Sequence, residues 1–150
     1  MLVLSRSATP FMEMAGRLSI PVDAIIQTGV AHAEVPEYLA CADLGLALRA
    51  PSFSMQAVAP IKLGEYLLCG LPVVASTVIG NTSVIDGQTG CLLEFMDDHS
   101  LERVAAWFVD TVLPDRAGFR DRSCRLGKTH FSLDDSVDAY LRALRGLQAT

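Results

Sequence analysis

The 150-residue sequence contains no C-x-x-C pair, no His/Cys cluster at metal-ligand spacing and no internal repeat. Its four cysteines, Cys41, Cys69, Cys91 and Cys124, stand far apart among apolar residues. That pattern reads as buried free thiols in a reducing cytosol rather than a disulfide framework or a metal site. No G-x-S-x-G occurs, and His32, His99 and His130 have no nucleophile in a triad-like arrangement, so they read as surface or capping residues. Gly80 to Gly90 fits neither the dinucleotide fingerprint nor the P-loop. With a net charge of −5 and no cluster of Lys and Arg, the chain lacks the electrostatic footprint of a nucleic-acid-binding surface. The apolar run at Met1-Leu2-Val3-Leu4 is too short for a signal peptide. Tyr66 to Ile85 carries no charge, but Gly70, Pro72, Gly80, Asn81, Thr82 and Ser83 make it helix end, strand and loop, not a transmembrane segment.

What is present points to an α/β fold. Hydrophobic residues make up 51% of the chain and the mean hydropathy is +0.35, which suits a single domain with a substantial core and excludes disorder. Short apolar runs alternate with helical patterns, the signature of parallel-sheet construction. The predicted elements are a strand at Leu2–Leu4, a helix from Pro10 to Leu18 with Phe11, Met14, Ala15 and Leu18 inward, and a strand at Ala24–Gln27. A short helix at Val35–Cys41 follows with Leu39 inward, then a strand at Leu44–Leu48, apolar enough to be covered on both faces. A fifth strand is expected at Cys91–Phe95. Beyond it, Leu101, Val104, Ala105, Phe108 and Val112 form a helical stripe with Ser100 as its cap. Ser132 and Asp135 read as a capping pair before the stripe Val137, Tyr140, Leu141, Leu144 and Leu147.

The segment from Pro60 to Ser76 is the most informative. Proline suits a first helical turn, Gly70 ends the helix, and Leu71-Pro72 leads into the buried strand Val73-Val74-Ala75. Lys62 and Glu65 share one face, at a spacing that allows an ordinary ion pair. Yet Lys62 sits beside the positive end of the helix dipole, where an anion is expected instead.

This segment resembles the donor-binding helix and following strand of the family 4 glycosyltransferases, which have the two-domain GT-B architecture. The matching residues are Glu65 and Gly70-Leu71-Pro72-Val73-Val74-Ala75-Ser76, with Pro60, Lys62, Glu65 and Tyr66 fitting a variant loop. Ala57 stands where the family pattern has its first glutamate. Ala42-Asp43-Leu44 at a strand entry, Asp86-Gly87-Gln88-Thr89-Gly90 in a turn and Phe131-Ser132 before the last helix continue the likeness in the same order.

The resemblance implies a Rossmann-like, mostly parallel sheet of about five strands flanked by helices, the C-terminal half of a GT-B enzyme. It assigns Glu65 to the ribose hydroxyls of a nucleotide sugar. It assigns Lys62 and the backbone N–H groups of Ile61 and Leu63 to the donor phosphates. Ser52 and Ser54, in the loop before the helix, are candidates for phosphate or sugar. Gly29 and Val30 are candidates for backbone contact with the base, and Gly80, Asn81 and Thr82 for the sugar. Ser83 replaces a glutamate of many relatives, so that role is not transferred. No catalytic residue, metal or cofactor is assigned; the nucleotide sugar is the donor substrate.

By this likeness, residues 1–150 are a single, partial C-terminal donor-binding domain. The preceding strand-and-helix unit, with its diphosphate-gripping Arg and Lys, and the N-terminal acceptor domain are expected to be missing. A missing central strand leaves backbone groups to be paired by a rearranged sheet or by a second copy in a homodimer. The expected function is sugar transfer from an NDP donor to a glycan or lipid-linked acceptor, retaining and metal-independent, in cytoplasmic polysaccharide biosynthesis. Alternatives are a GT-B sugar-nucleotide epimerase and a non-catalytic binding or assembly domain.

Overall fold

A computed structural model describes residues 1–7, 9–50, 61–94 and 97–147. The chain divides into two compact units, Met1–Ala42 and Asp43–Thr150. In the first, β1 (Leu2–Leu4) pairs in parallel with β2 (Ile26–Thr28), and α1 (Thr9–Arg17) makes the crossover. A 3-10 turn at Val22–Ala24 shifts β2 later than the apolar pattern suggests. Ala15 alone of the expected α1 core is buried; Met14 and Leu18 are 52% and 66% exposed. A two-stranded sheet offers too little apolar surface to cover the whole helical stripe. The short helix α2 (Val35–Ala40) buries Leu39 as its pattern requires.

The second unit is built on a parallel three-stranded sheet in the order β3 (Gly45–Ala47), β4 (Val73–Ser76), β5 (Gly90–Leu93). The expected architecture of parallel strands flanked by helices is therefore present, with the five strands among the described residues shared between two sheets rather than joined in one. β4 is central and buried along its whole length, which is why its sequence is continuously apolar. β3 differs from expectation. Gly45 and Ala47 are buried, Ala47 in a cluster against Tyr66, but Leu46 leaves on the opposite face and is 46% exposed.

Helix α3 (Ile61–Leu68) joins β3 to β4 and supplies the main core. Leu63 and Leu67 cluster with Val73 and Ile85, against Tyr66, Leu126 and Phe131. Its end is a Schellman motif: Gly70 N–H donates to Leu67 O at 2.9 Å, and Leu71 N–H to Tyr66 O at 2.8 Å. Gly70 has a φ of +77°, and a Cβ there would stand 2.7 Å from Arg120 Cγ.

The helical remainder starts with α4 (Asp98–Trp107). Its cap is Asp97, whose carboxylate accepts the Ser100 N–H at 2.7 Å, so Ser100 donates to the cap rather than forming it. A π-helical turn at Phe108–Val112 follows, and the anticipated stripe splits: Val112 is buried while Leu101 and Ala105 are exposed. Helix α5 (Arg116–Phe131) packs along α3, and Ser132 caps α6 (Leu133–Leu147) through Asp135 N–H. On α6, Val137, Tyr140, Leu141 and Leu144 are all exposed. No helix among the described residues is long and apolar enough to cross a membrane.

Gly127 of α5 lies against the α3 backbone, and a Cβ there would stand 2.7 Å from Leu67 C and Leu68 N. Neither atom can move aside alone. Gly127→Ala should destabilise the second unit by about 1–3 kcal/mol, despite the better helix propensity of alanine. Gly16→Ala, on an open face of α1 with nothing within 4 Å of the added carbon, should stabilise by roughly 0.5–1 kcal/mol. Calorimetric melting of the two variants tests this; a Gly127→Ala midpoint at or above that of the parent would contradict the packing.

Candidate functional site

The carboxyl ends of the parallel strands β3 and β4 face the same way, and α3 begins where the chain returns from β3. This end of the sheet is where α/β folds place ligands. The first turn of α3 carries Ile61, 78% exposed, Lys62, also exposed, and Leu63, fully buried. The apolar anchor Leu63 thus fixes the turn, with Ile61 and Lys62 left at the surface. Glu65 follows one turn on and is half-buried.

Lys62 and Glu65 form no ion pair. Among the described residues neither side chain has a hydrogen-bond or salt-bridge partner. The ordinary explanation of their spacing, a solvated helix pair, therefore fails on geometry. A half-buried carboxylate without a partner among the described residues is open to hydrogen bonds from a hydroxyl-bearing ligand.

The charge on Glu65 is felt by its neighbours. Burial first, and then the Glu65 carboxylate, push the Tyr66 phenol upward. Burial and Glu65 likewise raise the Cys69 thiol, helped by Cys124 and opposed by Arg120. Tyr66 fixes the helix to the sheet: a Cβ on Gly45 would stand 2.5 Å from its ring.

After β4 the chain turns through Gly80 and Asn81, and Asn81 adopts a left-handed conformation at φ 60°. Both lie at the same end of the sheet as the start of α3. Thr82 is buried and its hydroxyl donates to Ile79 O at 3.0 Å, so its side chain is used in holding the turn. Gly29 and Val30 follow β2 in the first unit, where Arg6 Cγ stands 3.3 Å from a Cβ built on Gly29. Ser52 and Ser54 lie outside the described residues, as do Ala57 and Pro60.

One contributor was named in the sequence only as a motif position. Ser76, buried at the end of β4, accepts the Arg49 N–H on its hydroxyl at 2.9 Å, tying the exit of β3 to β4. A small polar residue closing an apolar strand was the available signal. The cysteines depart from expectation: all four are free, but Cys41 is exposed and the other three are half-buried. Cys41 and Cys69 follow the ends of α2 and α3, Cys91 lies within β5 and Cys124 on α5. The three histidines are exposed, as expected.

The thiol environments give a direct check on Glu65. At pH 8, an alkylating reagent followed by peptide mapping should modify exposed Cys41 well before Cys69, whose thiolate is disfavoured. Glu65→Gln should accelerate Cys69 and leave Cys41 unchanged. Equal rates at Cys69 in parent and variant would show that the carboxylate does not bear on this end of α3.

No curated protein sequence matches the chain. The solved structure of Anabaena HepE in complex with UDP and glucose superposes with a TM-score of 0.71 at 19% identity, over 95% of this chain and 36% of that one. Sucrose-phosphate synthase from Thermosynechococcus elongatus gives a TM-score of 0.67 at 18% identity, over 99% of this chain and 38% of that one. The chain thus spans little more than a third of the length of these structural neighbours, and they show its fold. The family described as glycosyl transferases group 1 matches residues 8–110, well over half of the sequence. The chain belongs to the group 1 glycosyl transferases.

Proposed function

We propose that this chain is the donor-binding portion of a longer GT-B glycosyltransferase, which moves a sugar from a nucleoside diphosphate onto a glycan or lipid-linked acceptor. The observation that carries this reading is Glu65, half-buried, without a side-chain partner among the described residues and one turn inside a helix whose start presents an exposed Lys62. The carboxylate accepts hydrogen bonds from both ribose hydroxyls, and being ionised it does so more strongly than a neutral acceptor.

The diphosphate then lies toward the helix start. As the bond between the sugar carbon and the phosphate oxygen breaks, its electron pair goes to that oxygen, and negative charge grows on the diphosphate. The Lys62 ammonium and the N–H of Ile61 at the helix start stabilise that charge. Gly80 and Asn81, following β4, serve the sugar. The acceptor is held by a further domain, and the reaction fits polysaccharide assembly in the cytoplasm. The family match and the structural neighbour holding UDP and glucose support a nucleotide sugar as the donor.

Calorimetric titration with UDP, GDP and their sugar derivatives tests the reading. One nucleotide should bind, and Glu65→Ala should weaken it roughly 10- to 100-fold, the loss of about 1.5–3 kcal/mol expected for charge-assisted hydrogen bonds. No heat at millimolar ligand, or unchanged affinity in the variant, would remove the donor site.

A further inference from the structure

Helix α6 carries an apolar stripe that the rest of the chain does not cover. From Ser136 to Gly146 every residue is exposed, and a 15-residue helix left bare in water is marginal on its own propensity. Its sequence is nevertheless strongly sided. Leu133, Val137, Tyr140 and Leu144 recur at intervals of four, three and four residues, the spacing of a two-helix seam, and Leu141 widens the stripe. Leu133 is 78% exposed and Tyr140 67%. A contiguous apolar stripe of this kind marks a surface that another element covers.

The charges identify that element. Asp134, Asp135 and Asp138 stand in the first half of α6, and Arg142 and Arg145 in the second. The gradient suits the helix dipole, and it also makes α6 complementary to itself when one copy runs backwards against another. At about 100° per residue, Asp134, Asp138 and Arg145 fall on one flank of the stripe, beside Leu141. A two-fold axis across the stripe sets like flanks together with their ends reversed. Leu133 then packs on Leu144 of the second copy, and Val137 on Tyr140 of the second copy. The same register brings Asp134 beside Arg145 of the second copy. A parallel pair would instead set Asp134 against Asp134 and Arg145 against Arg145, which repel.

We propose that α6 is the contact surface of a homodimer, an antiparallel two-helix seam between two copies of this chain. Such a partner uses the stripe and both ends of the charge gradient at once. The seam is separate from the donor site, and it differs from the sheet-edge pairing expected from the sequence. One short helix from each copy gives an interface at the small end of the specific range, so the dimer is a weak one.

Sedimentation equilibrium of the chain across the micromolar range should show monomer and dimer in exchange. Val137→Asp, in the middle of the seam, should weaken the dimer by at least about 10-fold. Asp134→Arg and Arg145→Asp should each weaken it about 2- to 5-fold, and their combination should recover the parent value, because the pair re-forms with its signs exchanged. Circular dichroism establishes that these exposed substitutions keep the fold. A parent that stays monomeric up to its solubility limit overturns the proposal and leaves the stripe to another domain or another protein. A dimer undiminished by Val137→Asp also overturns it and places the contact elsewhere, such as a sheet edge. A double charge variant no tighter than the weaker single one overturns the antiparallel pairing.

Discussion

Helix α3 reaches its neighbours at distances that most side chains would forbid. The Tyr66 ring occupies the space of a missing Cβ on Gly45, and the α5 backbone approaches Leu67 and Leu68 because position 127 is also glycine. Full burial of Leu63 and Leu67 follows from that closeness, and truncating either leucine would leave a cavity costing about 2–5 kcal/mol. The same contacts set the site. Leu63 is the inward residue of the turn that displays Ile61 and Lys62, and Tyr66 is adjacent to Glu65. Geometry at the surface is therefore inherited from packing beneath it.

The electrostatics of α3 run against ordinary helix preferences. A cation lies in the first turn, and a half-buried carboxylate follows with no side-chain partner among the described residues. A sequence selected only for stability would relieve both, for instance by turning Lys62 and Glu65 into an i,i+3 pair. The chain instead keeps them apart, and the charge of Glu65 spreads to Tyr66 and Cys69. A diphosphate at the helix start and a ribose at Glu65 resolve both conflicts together, which is the physical content of the donor-binding proposal.

Features written locally were readable, and features decided by distant residues were not. Gly70 as a helix end, β4 as a buried strand, and Ser132 as a cap each depend on a few consecutive residues, and the structure has all three. The cover of β3 depends on what lies over it, so an apolar sequence at Leu46 did not reveal its open face. Division of the strands between two sheets is likewise a matter of pairing, which periodicity does not encode. The cap of α4 was missed for a subtler reason: Asp97-Asp98-His99-Ser100 offers several capping residues, and only the backbone shows that Asp97 accepts. The π turn at Phe108–Val112 precedes Pro114, whose missing N–H and bulky ring cannot continue the regular ladder, and the chain takes a wide turn before it. That turn carries Val112 inward while leaving Leu101 outside. At the candidate site, Lys62 and Glu65 were visible through their spacing and their conflict with the dipole, whereas the Ser76–Arg49 tie required two strands to be seen side by side.

The reach of the family match and the reach of the packing do not coincide. The match runs from residue 8 to residue 110 and takes in β2, β3, α3, β4 and β5. Helix α5 lies beyond it, yet Arg120 presses on Gly70 and donates to Cys69 O, and Gly127 meets Leu67. Helix α3 therefore carries two sets of constraints on two faces. One face holds Lys62 and Glu65, the residues of the proposed donor site. The other holds Leu63, Leu67 and the Gly70 turn, which answer to α5. The position of Lys62 and Glu65 therefore depends on α5 residues that lie outside the family match, and α3 presents one surface to solvent while another holds it in place.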